Sequence, residues 1–387
     1  MARAISKLWM ATAAAGALAV TAGCGAGASG GQGGGDYTIG VLTSQTGSAS
    51  QLGVGELRGA QLAVGHLNAK GGVNGHKLTL VTADDQSKPD QALQQARQLM
   101  SKNVVGIIGS SVVASCKAIG PLVQAKGPVN YCLSPGIKAD GYVWSASAKT
   151  DALAEETMKY WKDKGITKVG IIYTTDASGT DGGQAAQAAA KKLGVEVTAS
   201  TSYDPAAVSV TSQLQQVMAG SPQALVVWAT GTPVGVALKG IQQLGITVPV
   251  MTTDGNLANA FLKRIADYTP ETLLIPATRD FWWQTLPQNH PAYQLEQDYH
   301  QKYEAKYQEA PDFGPGVGYD AVLVLAEAIK QAKSTDPQKI RTALEHIDGF
   351  EGVVGTYHMS AGDHRGLTVA DVAMVQAKAG KFEYIGK

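Results

Sequence analysis

The chain has 387 residues, 44% of them apolar and 17% charged, an ordinary globular balance with room for about two domains. Lysine plus arginine equals aspartate plus glutamate at 32 each. There is no basic excess to favour nucleic acid and no acidic tail to suggest disorder.

Arg3 and Lys7 precede "LWMATAAAGALAV" (8–20), an uncharged apolar run too short to span a bilayer. "TAGC" follows, and the start then resembles a bacterial lipoprotein leader. On that resemblance 1–24 is a signal peptide and Cys24 is the lipid-modified residue. Thr21 stands three places before the cysteine, where a branched apolar residue is usual. The alternative is a plain secretory signal cleaved nearby. "GAGASGGQGGG" (25–35) is read as a flexible tether. A phosphate loop would follow a strand and open a helix, whereas this run precedes a strand. No later apolar run reaches the roughly 18 residues of a membrane span. The expected location is extracytoplasmic, held on the bacterial membrane by lipid rather than passing through it.

From residue 36 strand patterns alternate with helix patterns. "YTIGVL" is a strand, and Leu57, Ala60, Val64 and Leu67 share one helix face. "LTLVTADD" is a second strand, and Pro89 opens a helix carrying Leu93, Ala96, Leu99 and Met100. "VVGIIG", a helix from about Ser115, and "PVNYCLS" complete a first βαβ series. The pattern changes near "VWSASAKTD" (143–151). A second series follows: "KVGIIYTT", "VEVTASTSY", "ALVVWATG", "VPVMTTDG" and "TLLIPATRD", with helices near Ala188, Gln215, Leu238 and Phe261. Helices over 290–307, 319–334 and 336–347 come next, then a β-rich tail. Repeated βαβ units with short loops predict parallel sheets covered on both faces.

Such sheets bind ligands at the carboxyl ends of their strands. Six of those ends are rich in Ser, Thr, Gly and Asp: "VLTSQTGS", "IIGSSVVAS", "CLSPGIK", "IIYTTDASGTDG", "VVWATGTP" and "VMTTDGN". Many such residues serve as caps and turns. Six in two units suit a shared cleft.

Cys116 and Cys132 remain once Cys24 is set aside. In an oxidising compartment such a pair is expected to be a disulfide, with free thiols and catalysis as alternatives. A metal site is disfavoured, because there is no Cys-x-x-Cys and the seven histidines lack ligand spacing.

"LNAKGGVNGHKLTLVTADDQSKPDQALQQARQLM" (67–100), with "LSPGIK", "TTDASGTDGGQAA" and "VPVMTTDGN", resembles the branched-chain amino-acid type of solute-binding protein of ATP-binding-cassette importers. The resemblance runs over about 36–385. It implies the type I periplasmic-binding fold: two doubly wound α/β lobes joined by three crossovers, closing on a ligand in the cleft between them. The implied lobes are 36–147 with 279–355, and 148–278 with 356–387. The implied role is capture of a small polar ligand and delivery to a permease and ATPase complex. No cofactor is implied, and the expected state is a monomer.

The resemblance also carries over ligand contacts. In lobe one these are Gln45, then Ser111, Val113, Ala114 and Ser115, then Gly136 and Lys138. The family's hydroxyls are replaced here by Val112, Val113 and Ala114. Lys138, if inward, would pair with an anion; outward, it is a solvated lysine. In lobe two the contacts are Ser178, Thr230, Gly231 and Asp254. Asp254 aligns with the residue that receives an amino group, and could equally cap the next helix. Leu52, Ser178 and Gly314 stand where aromatics are common, implying a roomier pocket for a larger or aromatic carboxylate. Trp282, with Phe281 and Trp283, is expected to refill part of it or to pack at the hinge.

Two other classes were weighed. A secreted hydrolase lacks support, since neither Gly-x-Ser-x-Gly nor His-Glu-x-x-His occurs and "GDHRG" (362–366) reads as a turn. A sensor signalling to a membrane partner would use the same fold.

Overall fold

Short strands that are apolar on both sides need cover on both sides, and the helices between them supply it. The computed structural model describes residues 35–387. The leader, Cys24 and the tether up to residue 34 lie outside the described residues. In chain order the first series is β1 (Tyr37–Thr43), α1 (Ser50–Ala69), β2 (Leu78–Asp84), α2 (Pro89–Ser101), β3 (Gly106–Gly109), α3 (Val113–Val123), β4 (Val129–Cys132) and β5 (Val143–Ser145). These strands form one parallel sheet in the order β2-β1-β3-β4-β5.

The second series is α4 (Thr150–Asp163), β6 (Lys168–Thr174), α5 (Ala177–Leu193), β7 (Glu196–Tyr203), α6 (Thr211–Met218), β8 (Ala224–Trp228), α7 (Thr232–Gln243), β9 (Val250–Thr252), α8 (Asn259–Ile265) and β10 (Leu273–Ala277). It builds the parallel order β7-β6-β8-β9-β10. The two sheets therefore share one topology. In each, the strand order reverses beside the first strand, at β1/β3 and at β6/β8, which is where doubly wound sheets open a crevice.

After β10 the chain returns to the first sheet with α9 (Tyr293–Tyr307), α10 (Phe313–Ala332) and α11 (Pro337–Leu344). A hairpin of β11 (Asp348–Glu351) and β12 (Thr356–His358) follows. The chain then crosses again, and β13 (Ala373–Lys378) and β14 (Lys381–Gly386) extend the second sheet antiparallel from β10. The result is two α/β lobes. Among the described residues no helix is long and apolar enough to cross a membrane.

Two elements were not anticipated. β5 has only three residues, too few for a periodic signal. α4 does carry a signal: Leu153, Ala154, Met158 and Trp161 are buried at helical spacing. α10 also begins at Phe313 rather than Tyr319, through "FGPGVG", a poor helix former by propensity. Packing decides it. α10 lies directly on α1, and a Cβ on Gly318 would come 2.1 Å from the Glu56 carbonyl oxygen, with 2.8 Å for Gly314 against that of Leu52.

Two buried arginines fasten the crossovers. Arg279, just after β10, donates to the carbonyls of Gly352 and Gly355 and pairs with Glu296 at 3.3 Å and Glu351 at 2.8 Å. Arg365, between β12 and β13, is 2% exposed. It donates to the carbonyls of Ser147 (2.8 Å), Pro135 (2.9 Å) and Ile137 (3.1 Å) and to Ser145 Oγ (2.9 Å). The "GDHRG" turn thus pins the loop after β4, and His364 stacks on Trp144 with ring centroids 3.8 Å apart.

Candidate functional site

The carboxyl ends of the two sheets face one another across a cavity of about 480 Å³. Its first wall comes from the loop after β1 and the start of α1 (Ser48, Gln51, Leu52), the start of α3 (Ser111 to Ala114), and the loop after β4 (Leu133 to Pro135). The second wall comes from the loops after β6 (Asp176 to Ser178), β7 (Pro205, Ala206), β8 (Thr230, Thr232) and β9 (Thr253 to Gly255). Phe313, at the start of α10, lines it as well.

The polar groups divide into acceptor and donor ends. Asp254 follows β9, is 2% exposed and opens a 3-10 turn (Asp254–Asn256). Its Oδ1 accepts from Thr253 Oγ1 at 2.7 Å and from the Gly255 N–H at 2.9 Å. Its Oδ2 is buried and has no hydrogen-bond partner among the described residues. Burial is the main cause that pushes this carboxyl up from 3.8 to about 6, against the bonds from Thr253 and Gly255. It is not the cap of α8, whose N-cap is Ala258.

The donor end is the N-terminus of α3. Val112 caps it in extended geometry with no side-chain bond, which leaves the N–H groups of the first turn without a side-chain cap at the positive end of the helix dipole, and Val112, Val113 and Ala114 line the cavity. Ser111 beside it is engaged: it accepts from the Ser44 N–H at 2.9 Å and donates to Glu56 Oε2. Burial pushes Glu56 up to about 8, and the Ser111 bond opposes that shift. Among the described residues lining the cavity there is no lysine, arginine or histidine, and its acids are Asp176 and Asp254. Asp176 is occupied as the N-cap of α5, accepting from the Gly179 N–H at 2.8 Å.

The disulfide is formed, linking Cys116 in the first turn of α3 to Cys132 at the end of β4, with Cα atoms 6.0 Å apart. It ties the donor end to the loop after β4, and Arg365 holds that loop from behind.

Of the residues expected to meet a ligand, Ser111, Val113, Ala114, Ser178, Thr230 and Asp254 line the cavity, as does Leu52. Gln45 does not, because its side chain turns to the Ala83 carbonyl at 3.1 Å. Ser115 is fully buried on α3 but outside the lining. Gly136 and Gly231 sit at the seam between the lobes. An added Cβ would lie 2.8 Å from Asp181 Oδ2 for Gly136 and 3.4 Å from the Ser48 carbonyl oxygen for Gly231.

Lys138 faces away: its side chain is 88% exposed and pairs with Asp140 at 2.5 Å. The buried Arg365 guanidinium behind the same loop disfavours a second inward cation. Trp282 is corrected as well. It packs toward Tyr384 and Lys387, while Phe281 meets Phe382 and Trp283 meets Tyr293. All three pack on the C-terminal strand or α9 and outside the cavity lining, whose aromatic is Phe313. Gly314 is committed to the α1–α10 contact.

Gln51, Ser134, Phe313, Thr253, Pro205 and Ala206 were missed. Pro205 and Ala206 had a signal, since "STSYDPAA" is itself a strand end. Phe313 had none, because it opens α10, 36 residues past the preceding strand (β10 ends at Ala277), and belongs to no strand end.

A family model described as periplasmic binding protein matches residues 36–381. The chain is 26% identical over 339 residues to a Leu/Ile/Val-binding protein homolog of Brucella melitensis, covering 83% of this chain and 86% of that protein. It is 24% identical to the Leu/Ile/Val-binding protein of Citrobacter freundii, covering 86% and 89%. Among solved structures, a type 1 periplasmic binding protein of Bordetella pertussis superposes with a TM-score of 0.80 at 29% identity, over 91% of this chain and 100% of that one. A branched-chain amino acid transporter substrate binding protein of Streptococcus pneumoniae, solved with isoleucine, superposes at 0.75 and 20% identity, over 91% and 100%, which speaks to the fold alone.

Proposed function

Because the chain belongs to the periplasmic binding protein family, we propose that it captures an amino acid or related carboxylate between its lobes and delivers it to an ATP-binding-cassette permease. Like its relatives it is a solute-binding protein and not an enzyme. The observation that carries the ligand class is the pairing of Asp254 Oδ2, buried and unpartnered, with the uncapped N-terminus of α3. One end of the cavity calls for a cation and the other for an anion, as a zwitterion supplies. The apolar wall of Leu52, Leu133, Val113 and Phe313 then receives the side chain.

The remaining parts of the reading rest on the sequence. We assign Cys24 as the lipid anchor, 25–35 as the tether, and the mature chain as a monomer. We place the lobes at 36–147 with 279–355 and at 148–278 with 356–387, hinged at the three crossovers.

The test is thermal denaturation against a panel of amino acids, amides and aromatic acids. A ligand that binds only the native state raises the melting temperature with its concentration. A zwitterionic α-amino acid is expected among the stabilisers. If only compounds lacking an ammonium group stabilise the protein, the role given to Asp254 is wrong.

A further inference from the structure

Gln51 lies in the first turn of α1 and lines the cavity. Its Oε1 accepts from Arg264 Nη2, on α8 in the opposite lobe. Arg264 Nη1 also reaches Thr232 Oγ1, another lining residue, at 3.4 Å. A guanidinium has no acceptor, so the amide atom facing it must be the oxygen, and the amide orientation is settled. Nε2 is thereby turned away from Arg264. It is buried and has no hydrogen-bond partner among the described residues.

Gln51 is thus a lining residue with an uncommitted amide donor, in addition to Asp254 Oδ2 and the α3 N–H groups. An amino acid with an aliphatic side chain satisfies only the latter two. It would leave a buried donor dry, which is costly in a way that an absent contact is not. A side-chain carboxylate would satisfy the donor too, but the lining already contains Asp176 and Asp254, and the cation beside it, Arg264, is engaged by Gln51 Oε1 and Thr232 Oγ1. A neutral oxygen fits.

We infer that the ligand is an amino acid whose side chain carries a neutral hydrogen-bond acceptor, a carboxamide or hydroxyl oxygen, received by Gln51, and that Arg264 holds Gln51 in that orientation from the other lobe. This rests on the binding reading above. It makes Gln51 a specificity-determining residue and Arg264 a positioning residue. Ligand recognition and lobe closure then share one side chain, because the Arg264 bond exists only with the lobes together.

The experiment uses the mature chain with glutamine, asparagine, threonine, glutamate, leucine and phenylalanine as probes, read by calorimetric titration and stopped-flow dissociation. An amide or hydroxyl amino acid is expected to bind about tenfold or more tightly than leucine. Gln51→Leu should erase that preference, lowering the affinity for the amide or hydroxyl amino acid at least tenfold relative to that for leucine. Gln51→Glu keeps the Arg264 pairing but loses the donor, so it should also erase the preference. Arg264→Ala should raise the dissociation rate of the amide ligand more than that of leucine.

Leucine or phenylalanine binding most tightly, with an order unmoved by Gln51→Leu, overturns the inference and leaves the binding reading intact. Glutamate binding most tightly overturns the neutral-acceptor assignment. Binding of no amino acid at all removes the binding reading, and this inference with it.

Discussion

Asp254→Asn should move stability and affinity in opposite directions. Burial lifts the Asp254 carboxyl from 3.8 to about 6. At 1.36 kcal/mol per unit, keeping it ionised in the fold costs about 3 kcal/mol. Asparagine removes that cost and keeps the acceptor for Thr253 and Gly255. It also places an NH2 where Oδ2 finds no partner, a penalty of about 1–3 kcal/mol. The balance is a ligand-free variant more stable by about 1 kcal/mol, or about 2 °C in melting temperature. The sign has a pH window. The folded pKa lies above the unfolded one, so the wild type keeps this contribution below pH 3.8 and loses it as pH rises through about 6. The variant's advantage should open across that window and then level off. Affinity should fall roughly 30-fold, because the ligand ammonium loses a charged partner worth about 2 kcal/mol. Scanning fluorimetry from acid to neutral pH, with titration calorimetry at neutral pH, measures both. Unchanged affinity, or a variant less stable than wild type at neutral pH, would refute the reasoning.

Arg365→Met should cost about 3 kcal/mol in urea denaturation, since it leaves the carbonyls of Pro135, Ile137 and Ser147 without their buried donor; it should also weaken ligand binding through the loop after β4. Opening the Cys116–Cys132 bridge by a double Ser substitution should cost about 3 kcal/mol on the chain-entropy account for a separation of 16 residues, and a loss of affinity should accompany it because both ends abut the cavity. Glu56→Gln should stabilise the protein increasingly as pH rises from 4.5 to about 8, the range over which the wild type loses its protonated advantage, with no further gain above it; a melting-temperature difference flat with pH would be the contrary result. Lys138→Ala should leave ligand affinity within about twofold, because the pair it makes with Asp140 is exposed and away from the cavity.

The alternation of apolar strands with helical faces, the Ser/Gly/Asp-rich strand ends and the paired cysteines were all legible in the chain. Each is local or nearly so. A strand covered on both faces must be apolar throughout, and a crevice at strand ends must be built from turn and cap residues. Asp254 and the α3 start lie in two of those strand ends, and their ligand roles came with the family resemblance; the bridge from α3 to the end of β4 was expected from the paired cysteines. What local pattern cannot carry is direction. "SPGIK" reads the same whether Lys138 points in or out; in the fold Arg365, more than 200 residues later (365 against 138), takes the carbonyls of Pro135 and Ile137 while the lysine meets solvent. The same holds for "FWW", whose first two rings pack on the C-terminal strand and whose third packs on α9, and for Phe313, which reaches the cavity because α10 lies glycine to backbone against α1. Gln51 belongs with these. Nothing in its neighbours distinguishes it, and its free amide donor exists because Arg264, from the other lobe, has taken its oxygen. Periodicity along the chain reports which face of an element is buried; the partner that each polar atom finds there is a property of elements brought together from far apart.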